Sequence, residues 1–169
     1  MALQRASFRV VLAAAIAGVL AACSGPPRAP EPDSRATLPP TAPGPADPVR
    51  AQVVFIALQM VGVPYRWGGS SPEGFDCSGL VQYAYSNAGL KLPRTAEAQL
   101  EASSPVTLEN AQAGDLLFFR QDGRTSHVAI YLGEGRFIHA PSTGRQVSLD
   151  SFGNAYWRMH FARAGRITG

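Results

Sequence analysis

Apolar residues crowd the stretch Val49–Val61, which lies between Asp47-Pro48 and Gly62. A capping carboxylate, a proline suited to the first turn and a terminal glycine predict a helix there. A second helix is predicted over Cys77–Ala88, capped by Asp76 and stopped by Gly89, and a short third one opens at Thr95 and runs through Glu101. The period then shortens. Asp115–Phe119, His127–Leu132, Arg136–Ala140 and Gln146–Leu149 read as strands separated by Gly, Asp and Ser turns. The glycine-rich segment Tyr65–Asp76 reads as loop, and the tail Tyr156–Ile167 as aromatic and mixed. Helices first and antiparallel strands afterwards make the fold class α+β.

The N-terminal third follows a different rule. Arg5 and Arg9 precede an apolar run from Val10 to Leu20, and Leu20-Ala21-Ala22-Cys23 follows. That order is the pattern of an export signal over residues 1–22, and its last four residues resemble a bacterial lipobox. The resemblance implies cleavage before Cys23 and acylation of its thiol, with two or three chains giving a stable membrane anchor. Ser24, with no Asp after the cysteine, points by the same analogy to an outer membrane, where the organism has one. An ordinary secretory signal is the alternative. Residues 23–47 then form a tether: Ser24 through Pro48, with Pro48 included, holds nine prolines. Such a segment cannot bury a core, and it extends at ~3.1 Å per residue, an upper reach of roughly 80 Å. Residues 48–169 make one domain.

Charge narrows the classes further. The chain has 169 residues with 15 Lys+Arg and 12 Asp+Glu. Without Arg5 and Arg9 the balance is 13 − 12 = +1, which argues against nucleic acid as a partner. Nothing in the pattern asks for a second copy, so a monomer is expected. The two cysteines, Cys23 and Cys77, would suggest a disulfide in an exported protein, but acylation of Cys23 would leave Cys77 alone.

Cys77 falls at the first turn of its predicted helix, where free N–H groups and the positive dipole end favour a thiolate. A cysteine packed as a small hydrophobe would occupy the same position. A thiol nucleophile needs a base and the base needs an orienting partner. His127 opens one predicted strand and His139 nearly ends the next. If Gly133-Glu134-Gly135 is a three-residue hairpin loop, Ala129 opposes His139, and the two imidazoles are diagonal neighbours on one face. A two-residue turn is expected to separate them. His160, among Tyr156, Trp157 and Phe161, reads as packing or surface.

The string Val63-Pro-Tyr-Arg-Trp-Gly-Gly-Ser-Ser-Pro-Glu-Gly-Phe-Asp-Cys-Ser-Gly-Leu-Val81 resembles the nucleophile motif of the NlpC-type cell-wall cysteine peptidases. Leu92-Pro-Arg-Thr95, Ala113–Phe119, Ser126–Gly133 and Phe137–Ala140 continue the resemblance in order and spacing. It implies a papain-like fold with N-terminal helices packed on a C-terminal antiparallel sheet, and hydrolysis of amide bonds in peptidoglycan stem peptides or cross-links. Carried over, Cys77 is the nucleophile, His127 the general base and His139 its orienting residue. Tyr65 contacts substrate or oxyanion, and Asp76 and Ser78 supply the cap and the substrate-side wall. No metal or organic cofactor is implied. The layout is that of the family's single-domain lipoprotein members, which favours the D-alanyl–diamino acid cross-link over the γ-D-glutamyl–diamino acid bond. Three rivals stand beside this reading, one of them an acyltransferase or amidase on the same scaffold. A Cys-His-His zinc site uses the same residue types, though no short ligand pair is present. A non-catalytic wall-binding lipoprotein would keep the fold without turnover.

Overall fold

In the computed structural model the described residues are 47–121 and 123–168. The export signal, Cys23 and all of the tether up to residue 46 lie outside them. Helix α1 (Pro48–Gln59) begins where the Asp47 carboxylate accepts the Val49 N–H at 2.9 Å. It stops short of the predicted Val61, because the chain turns at Met60 and reaches Gly62 with φ +91°. Helix α2 (Cys77–Asn87) is capped by Asp76 and α3 (Ala96–Glu101) by Thr95, as the capping residues predict.

The segment read as a plain loop contains a small hairpin, β1 (Ser70–Ser71) with β2 (Gly74–Phe75). Six more strands follow: β3 (Ser104–Val106), β4 (Leu116–Gln121), β5 (Arg124–Gly133), β6 (Arg136–His139), β7 (Ser148–Ser151) and β8 (Phe161–Arg166). They form one antiparallel sheet in the order β3-β8-β4-β5-β6-β7. A short helix α4 (Ala155–His160) leads into β8.

Both faces of the sheet are covered, which is why Leu116–Phe119 reads as an unbroken apolar run. Leu116, Phe118, Val128, Ile130 and Ile138 face the helices and pack with Val53, Leu80, Val81 and Tyr85. Leu117, Phe119, Ala129, Tyr131 and Phe137 point the other way, into a second core closed by Phe152, Trp157 and Phe161. Phe119 sits at its centre, with ring centroids 5.0 Å from Trp157, 5.4 Å from Phe137 and 6.0 Å from Phe161. The tail that looked mixed in sequence is the lid of this second core.

The hairpin register needs one correction. Ile130 pairs with Ile138 and Tyr131 with Phe137, so Ala129 lies across from His139 as expected. The turn, however, has two residues, Glu134 and Gly135, both with positive φ (52° and 71°) between the paired Gly133 and Arg136. This is the twist a tight hairpin requires. A register shift between Tyr131 and Gly133 leaves Leu132 as the extra residue and restores the parity that the two-residue turn would have broken. A second shift lies between Phe119 and Arg120, next to His127, where Ser126 is the extra residue.

Candidate active site

The site is built where the start of α2 meets β5 and β6. A cleft of about 460 Å³ is lined by Tyr65, Asp76, Cys77, Ser78, Arg94 and His127. Glycines bring the backbone together there. A Cβ on Gly79 would collide with the Gly69 carbonyl, and one on Gly69 with the Gly74 carbonyl. The hairpin thus folds directly onto the first turn of α2, and Asp76 N–H donates to the Gly69 carbonyl at 3.0 Å.

Asp76 does more than cap. Its carboxylate accepts from Gly79 N–H (2.7 Å), Gly68 N–H (3.0 Å) and both terminal nitrogens of Arg94 (2.9 and 2.6 Å). Burial pushes its carboxyl up, but the guanidinium and the two N–H groups outweigh that and hold it below the usual range. Arg94 also donates to Ser78 Oγ (2.9 Å) and the Gly69 carbonyl (3.2 Å), so one side chain ties loop, cap and helix together. Ser78 is buried, with its hydroxyl held between Arg94 and Asp76.

His127 Nε2 and His139 Nδ1 are 2.9 Å apart, so the diagonal pair inferred from register is a direct hydrogen bond. Both rings are buried. Trp157 lies flat against His127 at 5.4 Å and edge-on to His139 at 4.9 Å, covering the bond. Burial drives the His127 pKa down to about 3, with His139 adding to the shift. Burial lowers His139 to about 4, helped by Arg145. Both rings are therefore neutral near pH 7.

The thiol departs from the sequence expectation. N–H groups of Val128, Ser78 and Cys77 favour the Cys77 thiolate, but burial opposes them more strongly and Asp76 adds to it, so the thiol pKa is raised. The resting pair is a thiol and a neutral imidazole. Tyr65 sits in the same cleft, its phenol pushed up by burial and by the neighbouring Cys77 and Asp76. Among the described residues, no group of three His, Cys, Asp or Glu side chains is arranged to hold a metal ion. His160 stacks on Tyr156 at 4.1 Å, as a packing and surface residue would.

Residues 62–166 match the model of the NlpC/P60 family. The chain belongs to the NlpC/P60 family. Murein DD-endopeptidase MepH of Escherichia coli K12 is 45% identical over 116 residues, covering 65% of this chain and 43% of MepH. Bifunctional muramidase/DL-endopeptidase CwlT of Bacillus subtilis 168 is 47% identical over 115 residues, 66% of this chain and 34% of CwlT. This NlpC/P60 chain thus spans less than half the length of either relative. Among solved structures, the NlpC/p60 domain of peptidoglycan hydrolase SagA superposes with a TM-score of 0.62 at 39% identity, over 70% of this chain and 98% of that domain. A Staphylococcus aureus NLP/P60 family protein, described as similar to lipoprotein, gives 0.67 at 39% identity, over 76% of this chain and 45% of its own.

Two site residues of this NlpC/P60 domain escaped the sequence reading. Arg94 lies inside a matching block without an assigned role, because its contact with Asp76 spans 18 positions of sequence. Trp157 had no signal, since its contact with His127 spans 30 positions of sequence.

Proposed function

We propose that the protein is a cysteine-type peptidoglycan endopeptidase that acts as a monomer on amide bonds of stem peptides or cross-links. The observation that carries this is the 2.9 Å His127–His139 bond beside a cleft that Cys77 also lines. With Nε2 engaged by His139, Nδ1 is the nitrogen left for the thiol. That requires His127 to donate Nε2–H to the His139 Nδ1 lone pair. Attack proceeds from the neutral pair: His127 Nδ1 takes the thiol proton as Sγ bonds to the carbonyl carbon. The oxyanion is met by the Cys77 N–H at the start of α2, with the Tyr65 phenol beside it. The imidazolium then protonates the leaving nitrogen, the C–N bond breaks, and a thioester forms. Water deprotonated by His127 hydrolyses the thioester and restores the thiol. Every proton is carried by Cys77, His127 or water, so no step calls for a metal or organic cofactor.

The D-alanyl–diamino acid cross-link is the favoured bond, in keeping with the name of MepH. The γ-D-glutamyl–diamino acid bond is the second reading, in keeping with that of CwlT. Incubating residues 48–169 with purified muropeptides and weighing the products separates the two. Cys77→Ala should release nothing while its circular dichroism stays native; full release by that variant would defeat the cysteine mechanism, and no release by wild type would leave a wall-binding protein. We also propose that Cys23 carries a lipid anchor facing the periplasm from the outer membrane. Cys23→Ala should then leave the membrane fraction yet keep activity on isolated walls, and unchanged retention would disprove the anchor.

A further inference from the structure

The cleft does not end at His127. Ser126, His127 and Pro141 also line a smaller depression of about 120 Å³ on its far side, which reaches Tyr156 and His160. Gln121, Pro141, Tyr156 and Trp157 carry that depression into a third cavity of about 410 Å³, bounded by Arg145, Asp150 and Asn154. The three cavities share lining residues and follow one another from Cys77 past His127 to Arg145, a series we call a trough. His127 is the residue that hands a proton to the leaving nitrogen, so the half of the substrate that leaves must lie on its side. The trough beyond it is the space available.

The charges along this trough differ in availability. The Asp150 carboxylate accepts from the Trp157 indole N–H and from Ser151 N–H at 2.8 Å, so both of its oxygens are already engaged. Arg145 is exposed, and its backbone is fixed at both ends: its N–H donates to the Ser142 carbonyl at 3.1 Å, and its own carbonyl accepts from Tyr65 N–H at 2.8 Å. Its guanidinium is a cation presented to the trough from a held backbone. Tyr156, about half exposed, lines the same depression as Pro141.

Resting on the endopeptidase reading, we propose that this trough receives the leaving half of the substrate, a diamino-acid residue bearing a free carboxylate, and that Arg145 binds that carboxylate. The trough makes the enzyme selective for substrates whose leaving residue is anionic there. Tyr156 packs against the aliphatic part of the same residue.

Two muropeptides test this, identical in the acyl half and differing only in whether the leaving residue's carboxylate is free or converted to a primary amide. Wild type should cleave the free acid about tenfold better in kcat/KM, through KM, as a charge-assisted bond at a partly exposed site would give. Arg145→Gln should abolish the preference by losing activity on the free acid alone, and Tyr156→Ala should weaken both substrates equally. A wild type that cleaves both equally well overturns the proposal. So does an Arg145→Gln variant that loses the same factor on both, which would place the arginine's effect at His139. No turnover of either substrate by wild type would instead remove the endopeptidase reading itself.

Discussion

His139 is nearly fully buried, in contact with one imidazole and shielded by one indole, and its ring is neutral. A neutral ring in that place holds a lone pair towards His127 Nε2–H; it is not asked to change charge. Asparagine can present an amide oxygen to the same N–H, whereas alanine leaves a buried donor without a partner. The expected order of kcat/KM on a defined muropeptide is therefore wild type, then His139→Asn, then His139→Ala. The alanine loss should be roughly ten- to a hundredfold, corresponding to about 1–3 kcal/mol. His127→Asn should be as inactive as His127→Ala, because no amide can accept and return the thiol proton. An inert His139→Asn beside an active His127→Asn would mean that the two roles are reversed.

At the scale of elements, what could be read from the sequence followed what the chemistry writes locally. Helix starts were legible because Asp47, Asp76 and Thr95 each satisfy an N–H two or three residues ahead. The sharing of a face by His127 and His139 was legible because strand parity is fixed by spacing. The means of sharing it was not, because Leu132 bulges only in the company of β6. Strand β8 and helix α4 were unreadable for a related reason. Phe161, Trp157 and Phe152 owe their burial to Phe119 and Phe137, which come from strands placed much earlier in the chain. The thiolate expectation failed on the same ground: a helix start is a local feature, and the burial of Cys77 against β5 is not.

Over the whole molecule, two buried imidazoles make stability depend on pH in a defined direction. His127 and His139 titrate at about 3 and 4 in the fold, against 6.5 when exposed. Between those limits the unfolded chain binds more protons, so stability falls as pH drops below about 6.5 and is fully present above it. Asp76, held below the ordinary carboxylate value of 3.8, adds its own loss only at more acid pH. Calorimetry should show the Tm falling from pH 7 to pH 4.5 more steeply in wild type than in the His127→Gln/His139→Gln double variant. Parallel curves would show that these rings are not held neutral by the fold.

The cluster around Asp115 has a mechanical meaning. Arg50, in the first turn of α1, reaches Asp47 and Asp115, and Asp115 is also gripped by Arg166 at 2.6 and 2.8 Å. Asp115 is fully buried and immediately precedes β4, while Arg166 ends β8. Any tension entering the domain through the residues before Asp47 therefore meets these three side chains at once. It passes into β4 and β8, which pair side by side in the sheet, so the ladder between them shares the load. A pull on the start of α1 is therefore borne by a buried ion cluster shared with the sheet, and not by the helix alone.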